Sequence, residues 1–151
     1  MKRYIGLRNI VTSKSDWKYL LFYEIDQHDI FETYHVIDIL ERLNTSYIAY
    51  KSLNGYHFVG LTPLTAQQWG NYFTYLQNRV PEYFSGQTIR VSLKENEKQE
   101  LVKFNFNHPF LQKLTFMYCR RFNIDKSEIP IYGEPPNYTS VFERYWTTKQ
   151  I

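Results

Sequence analysis

Cysteine is nearly absent from this chain of 151 residues, whose only thiol is Cys119. A single cysteine excludes a disulfide within the chain and a zinc site built on paired cysteines. A chain without disulfides is typical of a reducing compartment. We therefore expect a cytoplasmic protein, or one in the host cytoplasm if the chain is viral.

Long hydrophobic runs are absent too. None approaches the roughly 20 apolar residues that a membrane span needs, and residues 1–15 hold no apolar signal-peptide core. Glycine and proline number only six each, which excludes collagen-like and low-complexity chains. The sequence predicts a globular protein that has no membrane partner.

Neither sign of charge dominates the chain, which has 18 basic and 15 acidic residues and a net charge of +3. This balance excludes a histone-like charge block and favours a polyanionic partner only slightly. Aromatic residues, in contrast, are abundant at 19%. At that density they mostly build a core, although surplus tyrosines on a surface can stack on nucleic-acid bases.

The first half of the chain predicts a strand, a helix and a hairpin. The nearly continuous apolar run Trp17–Ile25 predicts one strand buried on both faces. Asp29 and Glu32 have the spacing of a capping box for the helix that follows. Asn54-Gly55 is a strong hairpin signal between two apolar segments. The helix is predicted over about 30–43, and the hairpin strands at 46–51 and 56–61.

The second half begins with another capping box, Thr65–Gln68, which predicts a second helix. The later elements are predicted at Thr88–Leu93 (strand), Leu101–Phe106 (short strand), 109–122 (helix) and after Asp125 (an irregular tail whose aromatic end docks back on the domain). The resulting order, β-α-β-β-α-β, predicts an α+β fold of the split βαβ, ferredoxin-like or RNA-recognition-motif type. We expect a single domain over 1–151, with the two central helices on one face of the sheet and an added C-terminal helix.

Two carboxylates end the first strand, Glu24 and Asp26. Residues two apart on a strand point to the same face, so both can converge on one cation. Oxygen ligands of this kind suit Mg²⁺ or Mn²⁺. The bland interpretation is a pair of solvated acids at a strand end.

The hairpin brings together a hydroxyl and an imidazole, Ser52 and His57, which can both donate to phosphate oxygens. Three basic residues farther along, Arg90, Lys94 and Lys98, could also contact phosphates. Taken singly, an ordinary turn and a solvated charged loop are the default interpretations of these two features.

In order and spacing, Leu20–Asp26 followed by Ser52–His57 resembles the catalytic core of the archaeo-eukaryotic primase superfamily. The family's first motif is an apolar run that ends in two acids. Its second is a short Ser-x-His element, often with Gly and Tyr before the His. The resemblance covers a core at about 17–106 and leaves a C-terminal helix and Pro-containing tail at 107–151.

The resemblance implies a primase or polymerase that uses Mg²⁺ or Mn²⁺ to add nucleoside triphosphates on a nucleic-acid template in DNA replication, with a helicase or accessory primase subunit as a possible partner. Glu24 and Asp26 would be catalytic metal ligands, and Ser52 and His57 would bind the triphosphate. The basic residues that would follow the third motif and assist nucleotide binding are Arg90, Lys94 and Lys98. No Asp stands at the third motif, so Glu82 is the candidate third catalytic acid.

Three other interpretations stay open. An inactive RNA-recognition-like module would bind single strands through aromatic residues exposed on the sheet. Candidates for that role are Tyr19, Phe22, Tyr47 and Tyr50. A rolling-circle replication endonuclease would pair His57 with Tyr72 or Tyr75 on the second helix. A structural or partner-binding domain would need no reactive site.

Overall fold

The computed structural model describes residues 3–25, 30–43, 45–53, 55–79, 83–85, 87–93, 96–130, 132 and 138–146, with the backbone alone for 30–33, 83–85 and 140–146. The strands of this part are β1 (Arg3–Ser13), β2 (Asp16–Tyr19), β3 (Phe22–Ile25), β4 (Tyr47–Lys51), β5 (Tyr56–Gly60), β6 (Tyr83–Ser85), β7 (Thr88–Arg90), β8 (Glu100–Asn105) and β9 (Thr139–Trp146). The helices are α1 (Ile30–Arg42), α2 (Ala66–Arg79) and α3 (Gln112–Phe122).

The main sheet is antiparallel and has the order β6-β3-β5-β4-β8. Its first four strands, with α1 and α2 between them along the chain, form the β-α-β-β-α-β unit, so the predicted α+β fold of split βαβ type is confirmed. The last strand of that unit is β6, however, and not the segment Thr88–Leu93 predicted for it. That segment forms β7, which pairs with β1 in the second sheet.

The predicted single strand Trp17–Ile25 is wrong, because the chain changes sheets in its middle. The N–H of Leu20 donates to Asn9 of β1, whereas the C=O of Leu21 accepts from the N–H of Gly60 in β5. Both leucines are buried, at 0% and 2% exposure. The apolar run is therefore continuous because its two halves, β2 and β3, are buried in two different sheets.

The second sheet has β1 at its centre, paired with β2, β7 and β9. The tail predicted as irregular thus contains a strand, β9, whose backbone pairs with β1 from Arg3 to Leu7 and again at Val11 and Thr12. This pairing brings the aromatic end of the tail against the domain, as expected. The expectation missed β1 itself, since Arg, Gly and Asn interrupt its apolar pattern.

Each face of the main sheet has its own core. On one face, α1 and α2 pack against the side chains of Tyr23, Phe58 and their neighbours. On the other face, Phe22, Tyr50 and Val59 pack against α3 and the second sheet. The two central helices share one face, as predicted, while the C-terminal helix covers the opposite one.

Helix ends follow the sequence signals where the structure describes them. The capping box of α2 is formed, with Gln68 N–H donating to the Thr65 hydroxyl at 3.1 Å and Thr65 N–H donating to the Gln68 side chain at 3.0 Å. The last helix ends before Asn123, which takes a left-handed conformation with φ of 55°. The capping box predicted for α1 depends on Asp29, which lies outside the described residues, as does the Glu32 side chain.

Candidate functional site

A row of paired residues crosses the main sheet. Glu24 of β3 lies opposite His57 of β5, and His57 lies opposite Tyr50 of β4. Directly paired residues point to the same face of a sheet. Since Tyr56 and Phe58 on either side of His57 pack towards α1 and α2, the row faces α3.

The hairpin adds Ser52 to this row. Its backbone N–H donates to the C=O of Gly55 at 2.7 Å, which confirms the predicted tight turn, although Asn54 lies outside the described residues. The Ser52 Oγ lies 2.8 Å from Nε2 of His57. The other ring nitrogen, Nδ1, lies 3.7 Å from Oε1 of Glu24. Hydroxyl, imidazole and carboxylate therefore meet in one chain of contacts.

These three residues, Glu24, Ser52 and His57, are called the candidate site below. The site is open enough to be reached, since the side chains of His57 and Glu24 are 18% and 43% exposed. Ser52 is half-buried. When Nε2 of His57 is protonated it donates to Ser52, and the hydroxyl can then donate to the C=O of Gly55, 3.3 Å away. When Nε2 is not protonated, the hydroxyl donates to it.

Tyr50 packs against the ring of His57. Its ring stacks on the imidazole of His57, with centroids 5.0 Å apart and planes at 13°. Burial raises the pKa of Tyr50 well above its ordinary value, and the charge of Glu24 acts in the same direction, while Arg121 opposes them. The Tyr50 hydroxyl consequently stays protonated and uncharged at neutral pH.

Arg121, in the last turn of α3, is a basic residue near the site that sequence reasoning missed. Its guanidinium donates to the backbone C=O of Val91 and, at 3.2 Å, to the side chain of Gln99. The only sequence signal is a basic pair at the end of a predicted helix, which is an ordinary helix ending.

The predicted phosphate-binding residue Arg90 has a different setting. Its guanidinium donates twice to the carboxylate of Glu97, at 2.7 Å each, and lies over the ring of Tyr4. It belongs to β7 in the second sheet, where the adjacent Ile89 faces the core. Lys98 is exposed on the segment that precedes β8, and Lys94 lies outside the described residues.

Of the predicted acids, the structure describes Glu24 alone, since Asp26 and Glu82 lie outside the described residues. Among the residues that are described, no group of three or more His, Cys, Asp or Glu side chains could hold a metal ion. A partly exposed carboxylate at the end of a strand fits one oxygen ligand of Mg²⁺ or Mn²⁺. A second ligand would come from Asp26, the next residue but one.

The geometry bears on two of the alternative interpretations. The aromatic residues that a single-strand-binding sheet would expose are covered, with Phe22 and Tyr50 at 1% and Tyr47 at 0% exposure, and Tyr19 half-buried. Tyr72 and Tyr75 pack in the core on the α1 and α2 face, whereas His57 faces α3. These tyrosines and the histidine of the rolling-circle interpretation thus lie on opposite faces of the sheet.

No family model, curated protein or solved structure matches this chain. In the described part of the chain, none of the helices has the length and apolar character required to cross a membrane.

Proposed function

We propose that this chain is a primase- or polymerase-like nucleotidyltransferase that adds nucleotides on a nucleic-acid template. The observation that carries the proposal is the meeting of Glu24, Ser52 and His57 through contacts of 2.8 and 3.7 Å. These residues come from the two motifs that resemble the primase superfamily, and the motifs are separated along the chain by α1. The fold alone would not support a function, because split βαβ sheets serve many.

The reaction would be attack by a 3′-hydroxyl on the α-phosphate of a nucleoside triphosphate, with pyrophosphate as the leaving group. Ser52 and His57 suit the triphosphate, since a hydroxyl and an imidazole can each donate a hydrogen bond to a phosphate oxygen. Their mutual bond of 2.8 Å holds both groups in place before the substrate arrives, and a phosphate oxygen would then replace it as the partner of the donor engaged in it. Glu24 beside Nδ1 limits rotation of the imidazole.

Mg²⁺ or Mn²⁺ held by Glu24 and Asp26 would neutralise the charge that develops on the phosphates in the transition state. A third acid, Glu82, is supported by chain connectivity. The backbone of Tyr83 pairs with that of Ile25, so Glu82 and Asp26 each adjoin one member of the same antiparallel pair. This connectivity favours Glu82 over any other acid for the missing third motif.

Template and nucleotides would be the ligands of this site, and a helicase or accessory primase subunit would be the protein partner. The setting of Phe22 and Tyr50 argues against single-strand stacking, because α3 and the second sheet cover these aromatic residues.

The test is primer synthesis and extension with labelled nucleotides, a primed and an unprimed template, and Mn²⁺. We expect product with the wild type and a loss of about a hundredfold or more with Asp26→Ala or His57→Ala, the size of effect seen when one transition-state contact is removed. Asp38→Ala is the matched control, because this exposed carboxylate pairs with Arg42 on α1, on the other side of the sheet.

Absence of product from the wild type, or equal product from wild type and Asp26→Ala, would refute the enzymatic proposal. Template binding that survives both substitutions would favour the inactive binding module instead.

A further inference from the structure

Tyr50 occupies a position that the catalytic motifs do not include. Its side chain is 1% exposed, so it cannot stack on a nucleic-acid base as the sheet-surface interpretation requires. One face of its ring instead covers the imidazole of His57, nearly parallel and 5.0 Å away between centroids. Tyr50 therefore contacts the residue that would bind phosphate, while staying out of reach of the phosphate itself.

Two rings of α3 hold Tyr50 in turn. Phe122 lies 5.3 Å from the Tyr50 ring at 40°, and Tyr118 lies 5.7 Å away at 34°. Tyr118 is fully buried, at 0% exposure. A ring packed among such neighbours has little freedom to tilt.

The contacts around His57 restrain different motions of its ring. Ser52 at Nε2 and Glu24 at Nδ1 act at the edge of the imidazole and limit its rotation within the plane. The Tyr50 ring acts on the face and limits its tilt out of the plane. Both restraints are needed to aim a ring N–H at a ligand atom to within the 10–20° or so that productive sites require.

We propose that Tyr50, supported by Phe122, is the positioning residue that sets the plane of His57 for binding the phosphates of a nucleoside triphosphate. The identity of the ligand rests on the proposed function, whereas the effect on the His57 ring does not. One consequence is that α3, which lies outside the primase-like core at 17–106, becomes part of the site.

A purely structural role for Tyr50 makes a different prediction, and Tyr47 provides the comparison. Tyr47 lies on the same strand, is equally buried at 0% exposure, and packs in the core on the opposite face. Replacing either tyrosine by leucine removes one buried ring from β4. Only the Tyr50 substitution removes the ring that stacks on His57.

The experiment compares Tyr50→Phe, Tyr50→Leu and Tyr47→Leu in the full chain. Nuclear Overhauser effects between the His57 ring protons, assigned with His57→Gln, and Ser52 report the orientation of the ring, and calorimetric titration with ATP and Mg²⁺ reports affinity. We expect Tyr50→Leu to change these Overhauser effects and to weaken ATP binding by about three- to tenfold, the range for one aromatic contact. Tyr50→Phe should keep both properties, and Tyr47→Leu should lower stability without changing either.

Unchanged Overhauser effects between His57 and Ser52 in Tyr50→Leu, or equal changes in Tyr47→Leu, would overturn the proposal. If Tyr50→Leu does not fold, Phe122→Leu is measured in its place, and the same outcomes decide. If the wild type does not bind ATP, the proposed function fails, but the Overhauser effects still decide whether Tyr50 positions the ring.

Discussion

The Glu41 carboxylate of α1 bonds to side chains of β4 and β8. Its ionisation makes the stability of the fold depend on pH. Lys103 of β8 lies 2.6 Å from its Oε1, and the hydroxyl of Tyr47 donates to the same oxygen at 2.9 Å. The hydrogen bond from Lys103 has the larger effect and that from Tyr47 the smaller, and both lower the pKa of Glu41 below its ordinary value of about 4.5. The ionised carboxylate is thus favoured more in the folded chain than in the unfolded one.

A lowered folded pKa means that this stabilisation is fully present above the unfolded value and is lost as the pH falls through the folded value. Glu41→Gln should lower the free energy of unfolding at pH 7 by less than about 1 kcal/mol, because the pair is partly exposed and screened. The difference from wild type should become smaller as the pH falls below about 4.5 and through the lowered folded pKa. Urea unfolding at pH 7 and pH 3.5 measures both values.

Asp38→Asn, which removes the exposed pair with Arg42, serves as control and should have a smaller effect at either pH. A Glu41→Gln effect of equal size at both pH values would show that charge is not its cause.

At the same scale, the sequence predicted the residues of the candidate site better than their neighbours. Ser52 and His57 were brought together in the prediction because a tight hairpin forces residues on either side of it into contact, and the structure confirms that contact. Arg90 is predicted to contact phosphates because it is a basic residue that would follow the third motif. Its contact with Glu97 depends on how the segment after β7 folds back, which no local pattern shows.

At the scale of elements, Gly60 fixes the point where the chain passes from one sheet to the other. A Cβ at this position would lie 2.7 Å from the carbonyl oxygen of Leu21, a backbone atom that cannot move aside easily. The N–H of Gly60 also donates to that oxygen, at 2.6 Å. Close approach of β5 to the break between β2 and β3 therefore requires glycine here.

Gly60→Ala should destabilise the protein by about 1–3 kcal/mol, the usual range for overpacking. Gly70 in α2 is the matched control, since nothing lies within 4 Å of a Cβ added there. Gly70→Ala should stabilise the protein by about 0.5–1 kcal/mol because alanine favours helix. Thermal and urea unfolding measure both changes. A Gly60→Ala variant that is as stable as the wild type would contradict the close approach of Gly60 to Leu21.

The local patterns predicted α1, α2, α3 and the β4–β5 hairpin, because periodicity, a capping box and a tight turn each act within a few residues. They did not predict that Trp17–Ile25 divides at Leu20 and Leu21. An apolar run shows only that its residues are buried, and here burial comes from two sheets whose other strands are distant in sequence. For the same reason the sequence predicts an irregular tail where the structure has β9, which is a strand through its pairing with β1.

At the scale of the whole molecule, two layers enclose the main sheet and leave the candidate site at the end of β3 accessible. The layer of α1 and α2 packs on the face opposite the candidate site, whereas the other layer contributes rings and Arg121 around Tyr50. Sequence could predict the α+β architecture and the meeting of Ser52 with His57. It could not predict the covering of the second face, which depends on side chains of β1, β7 and α3 that lie far apart in sequence.

We propose that Glu24, Asp26, Ser52 and His57 form one site for a metal ion and a nucleotide. The decisive measurement is a titration of the full chain with Mn²⁺ and ATP, followed by electron paramagnetic resonance of the free ion and compared with a protein-free sample at the same ATP concentration. We expect the protein to bind Mn²⁺ beyond the amount that ATP alone binds, and Glu24→Gln to weaken this binding by about tenfold or more, at least the loss seen when a residue that supports a metal ligand is removed, while Asp38→Asn leaves it unchanged. Wild-type binding no greater than that of ATP alone, or equal binding in wild type and Glu24→Gln, would show that these residues do not form such a site.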